Sequence, residues 1–274
     1  MTINYVTEDL PLSLKEKNIL VTGVSRSMGI GTAITKLLAE AGANVITHGY
    51  SGYDKALKYR DYNNDFTNTL EQELNKKGYS VTILPPSDLS EKEIPEKVIE
   101  QAISKFGYID GLVLNHAYSV CAPIGEWTSE HIDAHLNTNV RATMLMIQAF
   151  ANQLPKGKSG VITLFTSGQY LGPMIKEIAY AVSKEAVIGL CKQAAVALAP
   201  QNIRVNCINP GATDTGYLED EDYKTVAKMF PFGRWGMPED AARLVHFLHS
   251  DYARWITGEV IASEGGFRRD VILE

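Results

Sequence analysis

Cysteine is scarce in this sequence: its 274 residues include only three, and they stand far apart, at Cys121, Cys191 and Cys207. They form neither a CxxC pair nor a cluster with histidine at metal-ligand spacing, so neither a disulfide framework nor a zinc site is expected. We therefore predict reduced thiols without a catalytic role, and no metal requirement.

Excess positive charge and long apolar runs are also lacking. Lys and Arg number 26 against 32 Asp and Glu, a formal net charge of −6, which leaves no broad basic surface for nucleic acid. The apolar stretches end well short of the roughly 20 residues that span a bilayer. The N-terminal segment contains Glu8 and Asp9 and has no basic stretch followed by an apolar core. We expect no nucleic-acid partner, no membrane span and a cytoplasmic location.

What the sequence does contain is a regular alternation of short β-branched runs and amphipathic stretches of helical length. This alternation is typical of βαβ units and a parallel sheet. We predict strands at Asn18–Val21, Asn44–Thr47, Ser80–Leu84, Gly111–Leu114, Gly160–Phe165, Arg204–Ile208 and Glu259–Ala262. The helices predicted between them are Thr32–Ala41, Thr67–Lys77, Pro95–Phe106, Ser129–Leu154 with a break, Tyr180–Ala199 and Pro238–His249.

No linker or internal repeat interrupts this alternation. Residues 1–274 are therefore predicted to form one α/β domain, a doubly wound Rossmann fold with a mostly parallel seven-stranded sheet. The polar segment 50–66 is interpreted as a surface insertion after the second strand.

A glycine-rich turn joins the first strand to the first helix. It reads Thr22-Gly23-Val24-Ser25-Arg26-Ser27-Met28-Gly29-Ile30-Gly31. Glycines at such a junction let backbone N–H groups approach a pyrophosphate, which the helix N-terminus attracts. A plain tight turn is the alternative, but the position at the first βα junction favours a dinucleotide.

The residues near this turn also bear on the choice of dinucleotide. Sites for NAD usually place a carboxylate at the end of the second strand, whereas this sequence reads His48-Gly49-Tyr50 and offers no carboxylate before Asp54. Arg26 can pair with a 2′-phosphate through its guanidinium. We therefore predict NADP, with NAD as the alternative if Arg26 is only a solvated charge.

Polar side chains that can do chemistry follow several predicted strands. Tyr180 and Lys184 stand four residues apart and share one helix face, and a nearby ammonium lowers the tyrosine pKa from about 10, which makes Tyr180 a candidate general acid and base. Ser167 and Asn115 follow predicted strands, and Asn139 lies at the predicted helix break. Each alone suits a turn or a cap; together they are expected at one edge of the sheet.

In the order and spacing of its motifs the chain resembles the short-chain dehydrogenase/reductase family from Asn18 to Phe267, and within it bacterial 3-oxoacyl-[acyl-carrier-protein] reductase-like proteins. The matching motifs are the turn at 22–31, Asp88-Leu89, Asn115-His116-Ala117, Asn139, Ser167, Tyr180-x-x-x-Lys184 and Asn209-Pro210-Gly211 with Thr215. The resemblance implies an NAD(P)-dependent oxidoreductase that moves a hydride between nicotinamide and a ketone or secondary alcohol. A 3-oxoacyl thioester is one candidate substrate.

The resemblance also implies residue roles. Tyr180 would protonate the carbonyl oxygen, and Lys184 would lower its pKa and hold the nicotinamide ribose. Ser167 would orient the carbonyl, and Asn139 would hold a water that links Lys184 to solvent. Asp88 would contact the adenine, and Pro210–Thr215 the carboxamide. The full set of implied dinucleotide contacts is Gly23, Ser25, Arg26, Gly29, Ile30, Gly31, Asp88, Leu89, Asn115, Ala117, Tyr180, Lys184, Pro210, Gly211, Thr213 and Thr215.

A homotetramer is implied as well, with a homodimer as the alternative and the helices around Asn139–Gln153 and Tyr180–Ala199 between subunits. Residues 212–237, which include Tyr217, Met229, Phe230, Phe232 and Trp235, have the length and apolar content of a lid over the substrate. An oligomer contact or simple packing would explain those aromatic residues equally.

Three departures from the family pattern stand out. The glycine turn is two residues longer than Thr-Gly-x-x-x-Gly-x-Gly, with Ser27 and Met28 as the extra residues. Tyr118 stands where a glycine is usual, which leaves the substrate size open. His116 replaces an asparagine, and we predict that it is packed rather than a ligand.

Two other functions remain open on the sequence. A sugar or polyol dehydrogenase would use the same catalytic residues toward oxidation. A dinucleotide-sensing module without chemistry would not require Tyr180, Lys184, Ser167 and Asn139 together.

Overall fold

The computed structural model describes residues 12–216 and 220–268. Its strands form one parallel seven-stranded sheet in the order β3-β2-β1-β4-β5-β6-β7. The strands are β1 Asn18–Thr22, β2 Asn44–His48, β3 Ser80–Ile83, β4 Gly111–Leu114, β5 Gly160–Phe165, β6 Ile203–Asn209 and β7 Val260–Ala262. The predicted α/β class and the predicted seven-stranded sheet are confirmed.

The helices within the described ranges are α1 Ile30–Glu40, α2 Ser51–Ala56, α3 Phe66–Lys76, α4 Ile94–Phe106, α5 Ser129–Leu136, α6 Ala142–Gln153, α7 Ile178–Leu198, α8 Asp220–Ala227 and α9 Pro238–His249. The break predicted within Ser129–Leu154 is a π-helical turn at Asn137–Arg141, which joins α5 to α6 without interrupting the helix. Helices α2 and α8 were not predicted, because a segment of six residues and one of eight mostly polar residues show no apolar period.

Helices cover both faces of the sheet because successive strand residues point to opposite sides. In β1, Leu20 packs into the core beneath α4, α6 and α7, whereas its neighbour Val21 packs into the core beneath α1, α3 and α9. Strand order reverses between β1 and β4, and in such sheets ligands bind beyond the carboxyl ends of the strands at this point.

Cys121 is exposed and Cys191 and Cys207 are buried, and all three are free thiols. In the part of the chain described, no helix has the length and apolar content to cross a membrane.

Candidate active site

A large cavity opens at the carboxyl edge of the sheet. Its volume of about 1190 Å³ exceeds the roughly 300–1,000 Å³ of common ligand pockets, which suits a ligand of dinucleotide size. The predicted site residues that line it are Gly23, Ser25, Arg26, Gly29, Ile30, Asp88, Leu89, Asn115, Ala117, Ser167, Tyr180, Pro210, Gly211, Thr213 and Thr215. Gly31, Asn139 and Lys184 are buried residues outside this lining.

The glycine turn packs against the end of β4 so closely that side chains are excluded. A Cβ on Gly23, whose φ is +74°, would lie 2.8 Å from Nδ2 of Asn115, and a Cβ on Gly31 would lie 2.4 Å from the Gly23 carbonyl oxygen. Asn115 Nδ2 donates to the carbonyl oxygens of Thr22 and Gly23, both at 3.2 Å. The first turn of α1 carries no acidic residue and no side-chain cap, so its N–H groups fit an anionic pyrophosphate.

The two extra residues of the turn are held by Asp61, which lies in the segment 50–66. One carboxylate oxygen, Oδ2, accepts from the backbone N–H of Met28 at 2.9 Å and from Ser27 Oγ at 3.3 Å. The longer turn therefore depends on the segment that follows α2.

Arg26 is bound by carboxylates of the same segment. Its Nη1 lies 2.7 Å from Asp61 Oδ1 and its Nε lies 3.4 Å from Asp54 Oδ1. Nη1 also donates to the carbonyl oxygen of Thr215 at 3.0 Å, and the guanidinium stacks 3.8 Å above the Tyr59 ring centroid. The cation expected to meet a 2′-phosphate is thus already ion-paired.

The segment 50–66 is more than a surface insertion. It supplies cavity-lining residues that no sequence motif indicated, namely Tyr50, Gly52, Tyr53, Asp54, Ala56 and Tyr59. Helix α2 folds back toward the turn, and the sequence signal was weak because α2 has only six residues.

Helix α7 brings the predicted catalytic pair together. Tyr180 lines the cavity, and Lys184 Nζ lies 5.6 Å from the Tyr180 ring centroid. Nζ donates to the carbonyl oxygen of Phe165 at 2.9 Å, and burial lowers the pKa of Lys184 to about 8. At neutral pH most of the population therefore carries a buried ammonium beside the phenol.

Asn139 lies in the π-helical turn and joins the loop after β4 to the start of α7. Its Nδ2 donates to the carbonyl oxygen of Tyr118 and to Ser183 Oγ, both at 2.9 Å, and its Oδ1 accepts from the Tyr118 N–H at 2.7 Å. Because both amide hydrogens are used, the side chain positions these two segments. The water role implied for Asn139 stays a prediction.

Tyr118 packs among aromatic rings. Its ring centroid lies 5.4 Å from that of Tyr53 in α2 and 4.8 Å from that of His135 in α5. Tyr53 also donates its hydroxyl to the carbonyl oxygen of Ser119 at 2.9 Å. The side chain that replaces glycine is therefore held by the segment 50–66.

His116 is packed, in agreement with the sequence prediction. Its Nε2 lies 3.2 Å from the carbonyl oxygen of Thr138, so this nitrogen carries the proton, and Nδ1 accepts from Thr22 Oγ1 at 2.8 Å. Burial and the charge of Lys184 lower the pKa of His116 to about 3. The ring is therefore neutral and fully engaged at physiological pH.

The polar residues Glu177 and Ser119 form another part of the cavity wall, which no sequence motif indicated. Glu177 precedes α7 and accepts from Ser119 Oγ at 3.2 Å, and both residues line the cavity. Burial and the nearby Glu177 raise the pKa of Cys121, which disfavours a thiolate nucleophile.

The predicted lid contains a small aromatic core. Trp235 stacks on Tyr223 with ring centroids 5.3 Å apart, and Phe230 packs on Phe267 at 4.9 Å. Met229 lines the cavity, whereas Phe232 is 80% exposed. Tyr217 lies outside the described residues.

Among residues 12–216 and 220–268, no three or more His, Cys, Asp or Glu side chains cluster in a way that could hold a metal ion. The predicted absence of a metal requirement stays a prediction.

Comparison with known proteins defines the class. Residues 23–268 match a family model described as enoyl-(acyl carrier protein) reductase. An uncharacterised oxidoreductase of Bacillus subtilis is 36% identical over 93% of this chain and 98% of its own length. A 3-oxoacyl-[acyl-carrier-protein] reductase of Chlamydia trachomatis is 31% identical over 92% of this chain and 98% of its own. The crystal structure of a short-chain dehydrogenase of Burkholderia cenocepacia in complex with NADP has a TM-score of 0.80 and 29% identity, covering 92% of this chain and 98% of that one.

A doubly wound sheet with a glycine turn, and with a tyrosine–lysine pair beside the same cavity, defines an NAD(P)-dependent oxidoreductase. The chain belongs to the short-chain dehydrogenase/reductase family.

Proposed function

We propose that the protein is a carbonyl reductase that prefers NADP, accepts NAD, and interconverts a ketone and a secondary alcohol. The observation that carries this proposal is that Tyr180 and Ser167 line the same cavity, while the buried Lys184 places its Nζ 5.6 Å from the Tyr180 ring centroid. The choice of NADP is supported by the similar Burkholderia cenocepacia protein, whose structure is a complex with NADP.

In this proposal the nicotinamide, when bound, supplies or accepts the hydride. Ser167, just beyond β5, holds the carbonyl oxygen through its hydroxyl. Tyr180 delivers a proton to that oxygen, and the ammonium of Lys184 stabilises the phenolate that results. Lys184 is only 3% exposed. The exclusion of water strengthens the attraction between its ammonium and the phenolate.

The test is NADPH oxidation, followed by absorbance, with a panel of ketones and Tyr180→Phe as the variant. Removing the proton donor should lower kcat by about 10²- to 10⁴-fold, while the Kd of NADPH, measured by fluorescence, stays unchanged. Tyr252→Phe is the matched control, because Tyr252 is 60% exposed and does not line the cavity. Full turnover by the Tyr180 variant would contradict the proposal.

For the substrate, a 3-oxoacyl thioester is the first candidate, supported by the name of the Chlamydia trachomatis relative. A polyol or sugar is the second, because the Glu177–Ser119 pair in the cavity wall suits ligand hydroxyl groups. Thioester reduction with NADPH favours the first candidate, and polyol oxidation with NAD favours the second. Dinucleotide binding with no turnover of any substrate would favour a sensor.

We also propose a cytoplasmic homotetramer, or a homodimer, with residues 212–237 as a substrate lid. The helices expected between subunits expose apolar side chains, with Met144 at 53%, Val182 at 57% and Val196 at 78% exposure. Such surfaces are common at subunit interfaces. Light scattering after size-exclusion chromatography measures the mass, and a monomer would exclude this assembly.

A further inference from the structure

We propose that Asp54 is a specificity-determining residue for the dinucleotide, and that it restrains the preference for NADP over NAD. The inference rests on the dinucleotide binding of the proposed function, not on the identity of the carbonyl substrate. It concerns a carboxylate that comes from the segment 50–66 and not from the end of β2.

The chain path after β2 explains how Asp54 reaches the site. Val24 donates its N–H to the carbonyl oxygen of His48 at 3.1 Å, which ties the glycine turn to the end of β2. A Cβ on Gly49 would lie 2.1 Å from the Val24 carbonyl oxygen, so only glycine permits this approach. Helix α2 begins two residues later and carries Asp54 beside Arg26, with a separation of 3.4 Å.

One carboxylate oxygen of Asp54 lacks a partner. Within the described residues the Asp54 side chain, which is 6% exposed, is held by Arg26 and by the Ser25 side chain. Its Oδ2 is nevertheless buried without a hydrogen bond to any residue that the structure describes. A buried acceptor without a donor is unfavourable, and Asp54 lines the cavity. A ribose 2′-hydroxyl is a donor for this oxygen, whereas a 2′-phosphate has replaced that donor with an anion.

The charges around Arg26 also disfavour the binding of a 2′-phosphate. Arg26 faces two carboxylates, those of Asp54 and Asp61, so the three groups together carry a net negative charge. A 2′-phosphate must compete with these carboxylates for the guanidinium. Asp61 is also bound to Met28 and Ser27, which leaves Asp54 as the carboxylate that acts mainly on the ligand.

The experiment measures the Kd of NADP⁺ and of NAD⁺ by titration calorimetry on the purified full chain, without a carbonyl substrate. Asp54→Asn removes the charge and keeps the shape. We expect NADP⁺ to bind about ten to a hundred times more tightly, with no gain for NAD⁺. Asp251→Asn, which removes the same charge from an ion pair whose carboxylate is 72% exposed, should leave both constants unchanged.

The double variant Arg26→Ala with Asp54→Asn identifies the group that is released. The double variant should not show the tighter NADP⁺ binding expected of Asp54→Asn alone, because no guanidinium remains for the phosphate. A gain that persists in the double variant, or a ratio of the two constants within about twofold of the wild type in Asp54→Asn, would overturn the inference. Asp54→Ser replaces Asp54→Asn if the asparagine variant does not fold.

The outcomes also separate this inference from the proposed function. If the wild type binds both dinucleotides and the ratio of the two dissociation constants is the same in Asp54→Asn, the inference alone is wrong. If the wild type binds neither, both fail. If the ratio moves but no carbonyl compound is reduced, the inference stands without the proposed activity.

Discussion

Replacing Lys184 with methionine removes a buried ammonium from the site and nearly preserves the length of the side chain. Burial lowers the pKa of this lysine from 10.5 to about 8. Below pH 8 the folded and the unfolded chain both hold the proton, so the cost of burying the charge is constant. Between pH 8 and 10.5 the folded chain has lost the proton and the unfolded chain still binds it, so the wild type gains stability as the pH rises.

The size of this gain follows from the two pKa values. A fall from 10.5 to about 8, at 1.36 kcal/mol for each pH unit, corresponds to about 3 kcal/mol. The methionine variant lacks this term. It also leaves the carbonyl oxygen of Phe165 without its donor, but that loss of about 1–3 kcal/mol does not vary with pH. The stability of Lys184→Met minus that of the wild type should therefore fall by about 3 kcal/mol from pH 7 to pH 10.5.

Urea unfolding at fixed protein concentration, repeated across this pH range, measures the difference. Lys192→Met is the matched control, because it makes the same substitution at an exposed position of the same helix. A difference for Lys184→Met that stays flat within about 1 kcal/mol would refute the idea that burial lowers the pKa of Lys184 in the folded protein.

Two further predictions concern the fold around the site. Gly49→Ala places a Cβ 2.1 Å from the Val24 carbonyl oxygen, so we expect a loss of about 3 kcal/mol or more in the free energy of unfolding, and weaker dinucleotide binding; full stability in urea would contradict this packing. His249 is buried against Thr163 and burial lowers its pKa to about 3, so the unfolded chain binds a proton below pH 6.5 that the folded chain does not. When the pH falls from 6.5 to 5, the free energy of unfolding of the wild type should therefore decrease by about 2 kcal/mol more than that of His249→Gln. An equal decrease in both proteins would show that the His249 ring binds a proton in the folded protein.

The sequence predicted the sheet well because its inner strands are buried on both faces. Gly111–Leu114 and Gly160–Phe165 have the predicted bounds, since continuous apolar runs between polar residues leave little choice of register. Helices were predicted where an apolar face repeats at helical spacing, as in Pro238–His249. The π-helical turn at Asn137–Arg141 was read as a break, because a single wider turn shifts the helical period without leaving a stop signal.

The proposed catalytic residues could be placed from the sequence because strand ends and one helical repeat fix their positions. Ser167 follows β5, and Tyr180 and Lys184 share a face of α7. The partners of Arg26 could not be placed in this way. Asp54 and Asp61 lie after the end of β2, on a short helix and a loop. No periodic pattern predicts the direction in which such a segment packs against the rest of the protein.

The departures from the family pattern belong to one structural unit. The two extra residues of the glycine turn are bound by Asp61, and Tyr118, which replaces a glycine, packs on Tyr53. Both partners come from the segment 50–66. Without that segment the Met28 N–H would lose its acceptor and the exposed face of Tyr118 would increase, so neither the longer turn nor the bulky residue would be stable by itself. The segment therefore connects the dinucleotide end of the cavity to the loop after β4, and a change in one is expected to alter the other.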